Sequence, residues 1–272
     1  MSSFAPSKRL GQHFLTDRNI LGRIADALDA APGDDVLEIG AGEGTLTEQL
    51  LARGLRVVAI EKDRRLVEGL GARGSGFGNV RIVHGDALHL DWHSLLPSSE
   101  PRAPNPAFKI IGNIPYAITS PLIEKALTPP LPERIVFLVQ AEVAARLAAE
   151  PGTKAYGALT VGVQAVCTVE RLFAVKPGAF HPPPKVDSTV VRLSPRPEPL
   201  VPPALVADLR AFTTACFSSR RKQLRNAVAR ATGRPAAAVG AALSGLGLDP
   251  ATRPERLTPQ DFVRLLLWSR EL

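Results

Sequence analysis

The first two hundred residues alternate between short apolar runs and stretches with helical spacing. Five β-rich runs stand out: Val36–Ile39, Arg56–Glu61, Val80–His84, Phe108–Gly112 and Ile135–Gln140. Amphipathic segments such as Leu46–Arg53 and Arg65–Leu70 separate most of them. Apolar strands interleaved with helices predict a parallel, doubly wound sheet covered on both faces. Two later runs differ. Leu159, Val161, Val163, Ala165 and Cys167 fall on every second position, and Thr189–Leu193 follows beyond a proline-rich loop. Together they predict an antiparallel strand pair that closes the sheet.

Beyond residue 195 the pattern changes. The segment 195–203, PRPEPLVPP, carries proline too often for a helix or a central strand and reads as a linker. After it, Leu205, Leu209, Phe212 and Cys216 share one helical face, and Leu224, Val228 and Ala231 mark a second helix. Thr258, followed by Pro259 and Asp261, predicts the start of a last helix carrying Phe262, Leu265 and Leu266. The expected organisation is an α/β domain over 1–200 and a small all-α domain over 201–272. Leu95–Ala107 is rich in proline and serine and predicts a surface loop.

Composition narrows the classes. A hydrophobic content of 45% over 272 residues is enough for one large core or a core with an appendage. No run approaches the ~20 apolar residues of a membrane span, and Met1–Lys8 has no apolar leader block. Cys167 and Cys216 make neither a disulfide framework nor a metal cluster, so a reducing cytoplasm is expected. His84, His89 and His93 lack zinc-ligand context, and no metal is expected. The net charge of +7 sits mostly in residues 201–272, which hold 11 Lys/Arg against 5 Asp/Glu. A polyanion is the matching partner, because phosphate contacts dominate nucleic-acid affinity.

The candidate chemistry begins at residues 36–44, VLEIGAGEG, where a strand runs into Gly40, Gly42 and Gly44. Such a turn lets the backbone approach a nucleotide closely. Glu61 ends the next strand, 21 positions beyond Gly40, where a carboxylate can hold both ribose hydroxyls. Asp86 follows the third strand, placed to accept from an adenine amine. The glycine spacing is not that of dinucleotide enzymes. Acidic residues around the turn suit S-adenosylmethionine, which has a sulfonium and no pyrophosphate. Glu38 either lies near that cation or bonds the turn.

The fourth strand ends in Asn113-Ile114-Pro115-Tyr116, the most specific signal in the chain. The lone pair of an adenine N6 is conjugated with its ring, so the amine is a poor nucleophile. Two acceptors on its hydrogens favour a pyramidal, reactive nitrogen. The Asn113 side-chain oxygen and the main-chain oxygen of Ile114 or Pro115 are the candidates, with proline stiffening the turn. Tyr116 can stack on a base turned out of its helix.

These residues resemble a known family, the ribosomal RNA adenine N6,N6-dimethyltransferases, over nearly the whole chain. Lys8–Leu15 (KRLGQHFL) matches the family's amino-terminal motif, and EIGAGEG, Glu61, Asp86 and NIPY follow in order. Phe180–Ser188 (FHPPPKVDS) and Phe217–Asn226 (FSSRRKQLRN) resemble two further family segments. The resemblance implies a Rossmann-like seven-stranded class I methyltransferase domain with a small all-α carboxyl-terminal domain. It implies that His13, Leu15, Gly40, Glu61, Asp86 and Asn113 bind S-adenosylmethionine. Many members carry asparagine where this chain has His13. Phe180 is implied as a second stacking ring beside Asn113, Pro115 and Tyr116. Arg221, Lys222 and Arg225 form a candidate stripe against RNA phosphates, with a salt-bridged interface as the competing account.

Among family members, the motifs are most similar to bacterial enzymes that dimethylate two adjacent adenosines in the 3′-terminal hairpin of 16S rRNA. The expected partner is therefore 16S rRNA within the small ribosomal subunit or its precursor, engaged by a monomer. Two alternatives remain: a 23S rRNA adenine N6-methyltransferase of the antibiotic-resistance type, and an assembly factor whose RNA binding outweighs catalysis. DNA methylation is a weaker rival, since such enzymes more often carry DPPY or NPPY.

Overall fold

The computed structural model describes residues 5–7, 10–74, 78–96, 108–218 and 222–270. The Lys8-Arg9 pair, Arg221 and most of the proline- and serine-rich stretch before Phe108 lie outside the described residues. In chain order, β1 (Phe14–Leu15) and α1 (Arg18–Asp26) precede β2 (Asp35–Ile39), α2 (Thr45–Leu51), β3 (Arg56–Glu61) and α3 (Arg64–Gly74). Then come β4 (Val80–His84), α4 (Trp92–Leu95), β5 (Phe108–Asn113), α5 (Thr119–Ala126), β6 (Arg134–Gln140), α6 (Ala141–Leu147) and α7 (Ala158–Gln164). The remaining elements are β7 (Cys167–Val175), β8 (Phe180–His181), β9 (Ser188–Pro195), α8 (Val206–Phe217), α9 (Leu224–Thr232), α10 (Ala236–Gly245) and α11 (Pro259–Arg270).

Seven strands form one sheet in the order β4-β3-β2-β5-β6-β9-β7. The five apolar runs read from sequence are the parallel strands β2 to β6, and β9 pairs antiparallel to β6. This is the seven-stranded, Rossmann-like α/β sheet expected. The order in which parallel strands are added reverses between β2 and β5, where Ile39 faces Gly112. Such a switch point opens a crevice at the carboxyl ends of the strands, where ligands bind in doubly wound sheets.

One expected strand is a helix. The alternating run from Leu159 forms α7, and the antiparallel edge strand is β7, which begins only at Cys167. Thr160 and Gly162 are buried along with Val161 and Val163, so both parities face the interior and alternation carries no signal. The Thr160 hydroxyl accepts the Gly157 N–H at 3.2 Å and donates to the Arg146 carbonyl at 2.6 Å, which starts the helix.

The chain divides into two compact units: residues 1–144 with 170–194, and residues 145–169 with 195–272. The helical unit therefore takes in α7 as well as the segment beyond the proline-rich linker, unlike a single cut after residue 200. Within it, α7 packs on α8 and α11. The buried Tyr156 hydroxyl donates to the Leu257 carbonyl at 2.8 Å, and Phe217 lies between the rings of Tyr156 and Phe262. Leu209, Phe212 and Cys216 are buried as their spacing predicts. Thr258 and Asp261 cap α11 reciprocally: Asp261 N–H donates to the Thr258 hydroxyl, and Thr258 N–H to the Asp261 carboxylate. Among the described residues, no helix is long and apolar enough to cross a membrane.

Candidate active site

A cleft of about 320 Å³ opens at the switch point, within the ~300–1,000 Å³ typical of small-molecule sites. Its walls include His13, Gly40, Glu61, Asp86, Asn113 and Tyr116. Six residues from His13 to Tyr116, 103 positions apart at the extremes, thus meet in one place.

The glycine turn forms the floor. Gly40 has φ +75°, a left-handed conformation that side chains resist, and a Cβ there would meet the Asn113 carbonyl at 3.5 Å. Gly42, at φ +58°, passes under the Phe14 ring, which would lie 3.3 Å from an added Cβ. The amino-terminal segment therefore closes tightly over the turn.

The Glu61 carboxylate is buried and accepts two main-chain N–H groups, Gly42 at 2.8 Å and Asp63 at 2.7 Å. Burial raises its pKa, opposed by those two donors. Each oxygen retains a lone pair, enough to receive a pair of vicinal hydroxyls. Asp86 is held by Lys62 at 2.7 Å and by the Leu88 N–H at 3.0 Å. The Lys62 ammonium keeps the Asp86 carboxyl below its ordinary pKa, so it stays an acceptor. Lys62 lines the cleft too and was not singled out from sequence, although it directly follows Glu61. Glu38 does not line the cleft. It is buried beneath the turn, where the Thr47 hydroxyl donates to it at 2.6 Å and burial pushes its pKa up to about 8. Its partner is the Thr47 hydroxyl on α2 rather than a turn amide, so its role is to tie β2 to α2.

The second wall is the 113–116 turn. Asn113 Nδ2 donates to the His13 carbonyl at 2.9 Å. A carbonyl only accepts, so the amide orientation is fixed, and Asn113 Oδ1 accepts from no described residue. Between the two main-chain candidates the structure discriminates. The Pro115 carbonyl receives the Ile118 N–H at 3.2 Å and the Thr119 hydroxyl at 3.3 Å. The Ile114 carbonyl receives no described donor. Tyr116 is anchored by a 2.6 Å bond between its hydroxyl and that of the fully buried Ser188.

Two of the expected site residues lie outside the cleft lining. Leu15 and Phe180 do not line the cleft; they are only 3% and 4% exposed and join the hydrophobic core. The two residues face each other across the antiparallel β1–β8 pair, which directs their side chains to the interior. In the helical unit, Lys222 precedes α9 rather than lying on it, while Arg225 is in its first turn. Both are exposed, and neither forms an ion pair with a described residue. Arg221 lies outside the described residues.

A model for ribosomal RNA adenine dimethylase matches residues 4–270. The chain belongs to that family. A Ribosomal RNA small subunit methyltransferase A from Shouchella clausii is 41% identical over 268 residues, spanning 96% of this chain and 89% of that protein. The crystal structure of a dimethyladenosine transferase from Plasmodium falciparum aligns with TM-score 0.77 and 30% identity, covering 94% and 97% of the two chains. That of the 23S rRNA methyltransferase ErmE aligns with TM-score 0.68 and 31% identity, covering 93% and 98%. This member of the family is an rRNA adenine methyltransferase that uses S-adenosylmethionine. The cleft fits that donor: acceptor oxygens on Glu61 suit a ribose, Asp86 suits an amine, and among the described lining residues Lys62 is paired with Asp86.

Proposed function

We propose that this enzyme dimethylates N6 of two adjacent adenosines in the 3′-terminal hairpin of 16S rRNA, within the small subunit or its precursor. The observation that carries the chemistry is the Asn113–His13 bond, which turns Asn113 Oδ1 away from His13; neither that oxygen nor the Ile114 carbonyl receives a donor from the described residues. The two oxygens take the amine hydrogens of the target, and the nitrogen pyramidalises. Tyr116 stacks on the base, its ring set by Ser188. S-adenosylmethionine supplies an electrophilic methyl on positively charged sulfur. When bound, that donor would pass its methyl to the N6 lone pair, the sulfur keeping the carbon–sulfur electron pair and the amine proton going to water. Gly40, Glu61 and Asp86 would hold the donor, Glu61 at a ribose and Asp86 at an adenine amine.

The small-subunit reading is supported by relatives such as the Shouchella clausii protein, named as a small-subunit methyltransferase. The helical unit, with exposed Lys222 and Arg225 and a basic balance beyond residue 200, supplies the grip on RNA phosphates. Methylation of unmodified 30S particles is compared with that of protein-free 23S RNA, with product nucleosides resolved by mass spectrometry. N6,N6-dimethyladenosine in 16S rRNA is expected. Methyl transfer confined to 23S RNA would replace this reading with the large-subunit one.

A further inference from the structure

The amino-terminal segment reaches into the 113–116 turn. Three contacts converge on His13. Its main-chain carbonyl receives the Asn113 amide at 2.9 Å. Its ring Nδ1 bonds the Pro182 carbonyl at 2.8 Å, and since a carbonyl only accepts, Nδ1 carries the proton. The same ring stacks on Tyr116, with centroids 5.8 Å apart and an interplanar angle of 25°. One residue therefore touches both halves of the element that receives the base.

We infer that His13 is a positioning residue for methyl transfer: its ring, tied to Pro182 and backed on Tyr116, holds its carbonyl where it orients the Asn113 amide. The inference rests on the role proposed for Asn113 and adds what sets it. An asparagine side chain turned by half a rotation would present two N–H donors to the target amine in place of an acceptor. The His13 carbonyl forbids that rotamer, because an Oδ1 facing it would be oxygen against oxygen. The carbonyl itself has little freedom. Phe14, the next residue, is paired with His181 in the β1–β8 ladder, and the Gln12 side chain donates to Asp63 at 3.3 Å while accepting the Ser7 N–H at 2.7 Å. Within this run the imidazole supplies the link to the loop opposite, at Pro182. Removing the ring loosens the carbonyl without removing it, so the effect reaches Asn113 indirectly.

The test is a kinetic and calorimetric comparison of His13→Ala, His13→Asn, Asn113→Ala and the His13→Ala/Asn113→Ala double variant on 30S particles, in single turnover. His13→Ala is expected to lower the rate of transfer by about ten- to a hundred-fold, the scale of a misplaced catalytic group. Its Kd for S-adenosylmethionine should change by less than about three-fold, because the Glu61 and Asp86 contacts remain. His13→Asn, whose amide can still donate to the Pro182 carbonyl, should recover most of the lost rate. In the Asn113→Ala background, His13→Ala should add little further loss, as for residues acting through one another. A weakened Kd with an unchanged rate would reduce His13 to a donor contact and overturn the inference. So would full additivity in the double variant. If Asn113→Ala itself retains the rate, the reading of Asn113 fails first, and the two failures are told apart by that variant alone.

Discussion

Glu61 and Gly42 are joined by a 2.8 Å bond from the Gly42 N–H to the buried carboxylate, so the acid proposed to hold the ribose also pins the glycine turn. Glu61→Ala removes an acceptor from two buried main-chain donors and from the ribose at once. Donor affinity should fall by about 1–3 kcal/mol, read by titration calorimetry, and thermal stability should fall with it. Unaltered affinity would remove Glu61 from the ribose site.

Asn113→Ala should abolish most methyl transfer while leaving the Kd of S-adenosylmethionine within about tenfold, because the amide acts on charge redistribution in the transition state rather than on donor binding. Asn113→Asp is a sharper probe. It keeps an acceptor but sets a carboxylate oxygen against the His13 carbonyl, so it should not restore the rate. Wild-type turnover in either variant contradicts the mechanism.

Tyr116→Phe keeps the stacking face and loses only the bond to Ser188. The Ser188 hydroxyl is fully buried, and stranding it should cost about 1–3 kcal/mol in unfolding experiments. Turnover should stay within about three-fold, since stacking needs the ring and not the hydroxyl. Tyr116→Ala should lose turnover as well. Equal losses in both variants would assign the chemistry to the hydroxyl.

Glu38 gives a pH signature. Burial raises its pKa from an ordinary 4.5 to about 8. The folded chain then binds a proton that the unfolded chain releases, so the group's contribution to stability declines as pH rises from about 4.5 to about 8 and levels off above. Glu38→Gln retains an acceptor for Thr47 and has nothing to ionise. Its Tm relative to wild type should climb between pH 5 and pH 8 and then flatten. A constant difference across that window would mean that Glu38 is already ionised in the fold.

Lys222 and Arg225 are exposed on the helical unit, one before α9 and one in its first turn. Reversing both to glutamate should weaken binding to 30S particles and reduce the slope of log K against log salt by about two, one per phosphate contact. An unchanged slope would place the RNA surface elsewhere on the protein.

The sequence by itself determined the sheet and the floor of the site. The five runs from Val36 to Gln140 are its parallel strands, and the Gly40 turn, Glu61, Asp86 and Asn113 follow from strand ends, because in a doubly wound sheet those ends gather at one crevice. It misread the run from Leu159, since a short segment buried on all sides carries no period that separates helix from strand. Only the tertiary structure decided which way Leu15 and Phe180 face, because that depends on the pairing of two strands more than a hundred and sixty residues apart. Only the structure distinguished the Ile114 carbonyl from that of Pro115, and only it brought His13 to Asn113. Hydrogen-bond partners are set by proximity after folding, and no local pattern in the chain encodes a contact across a hundred positions.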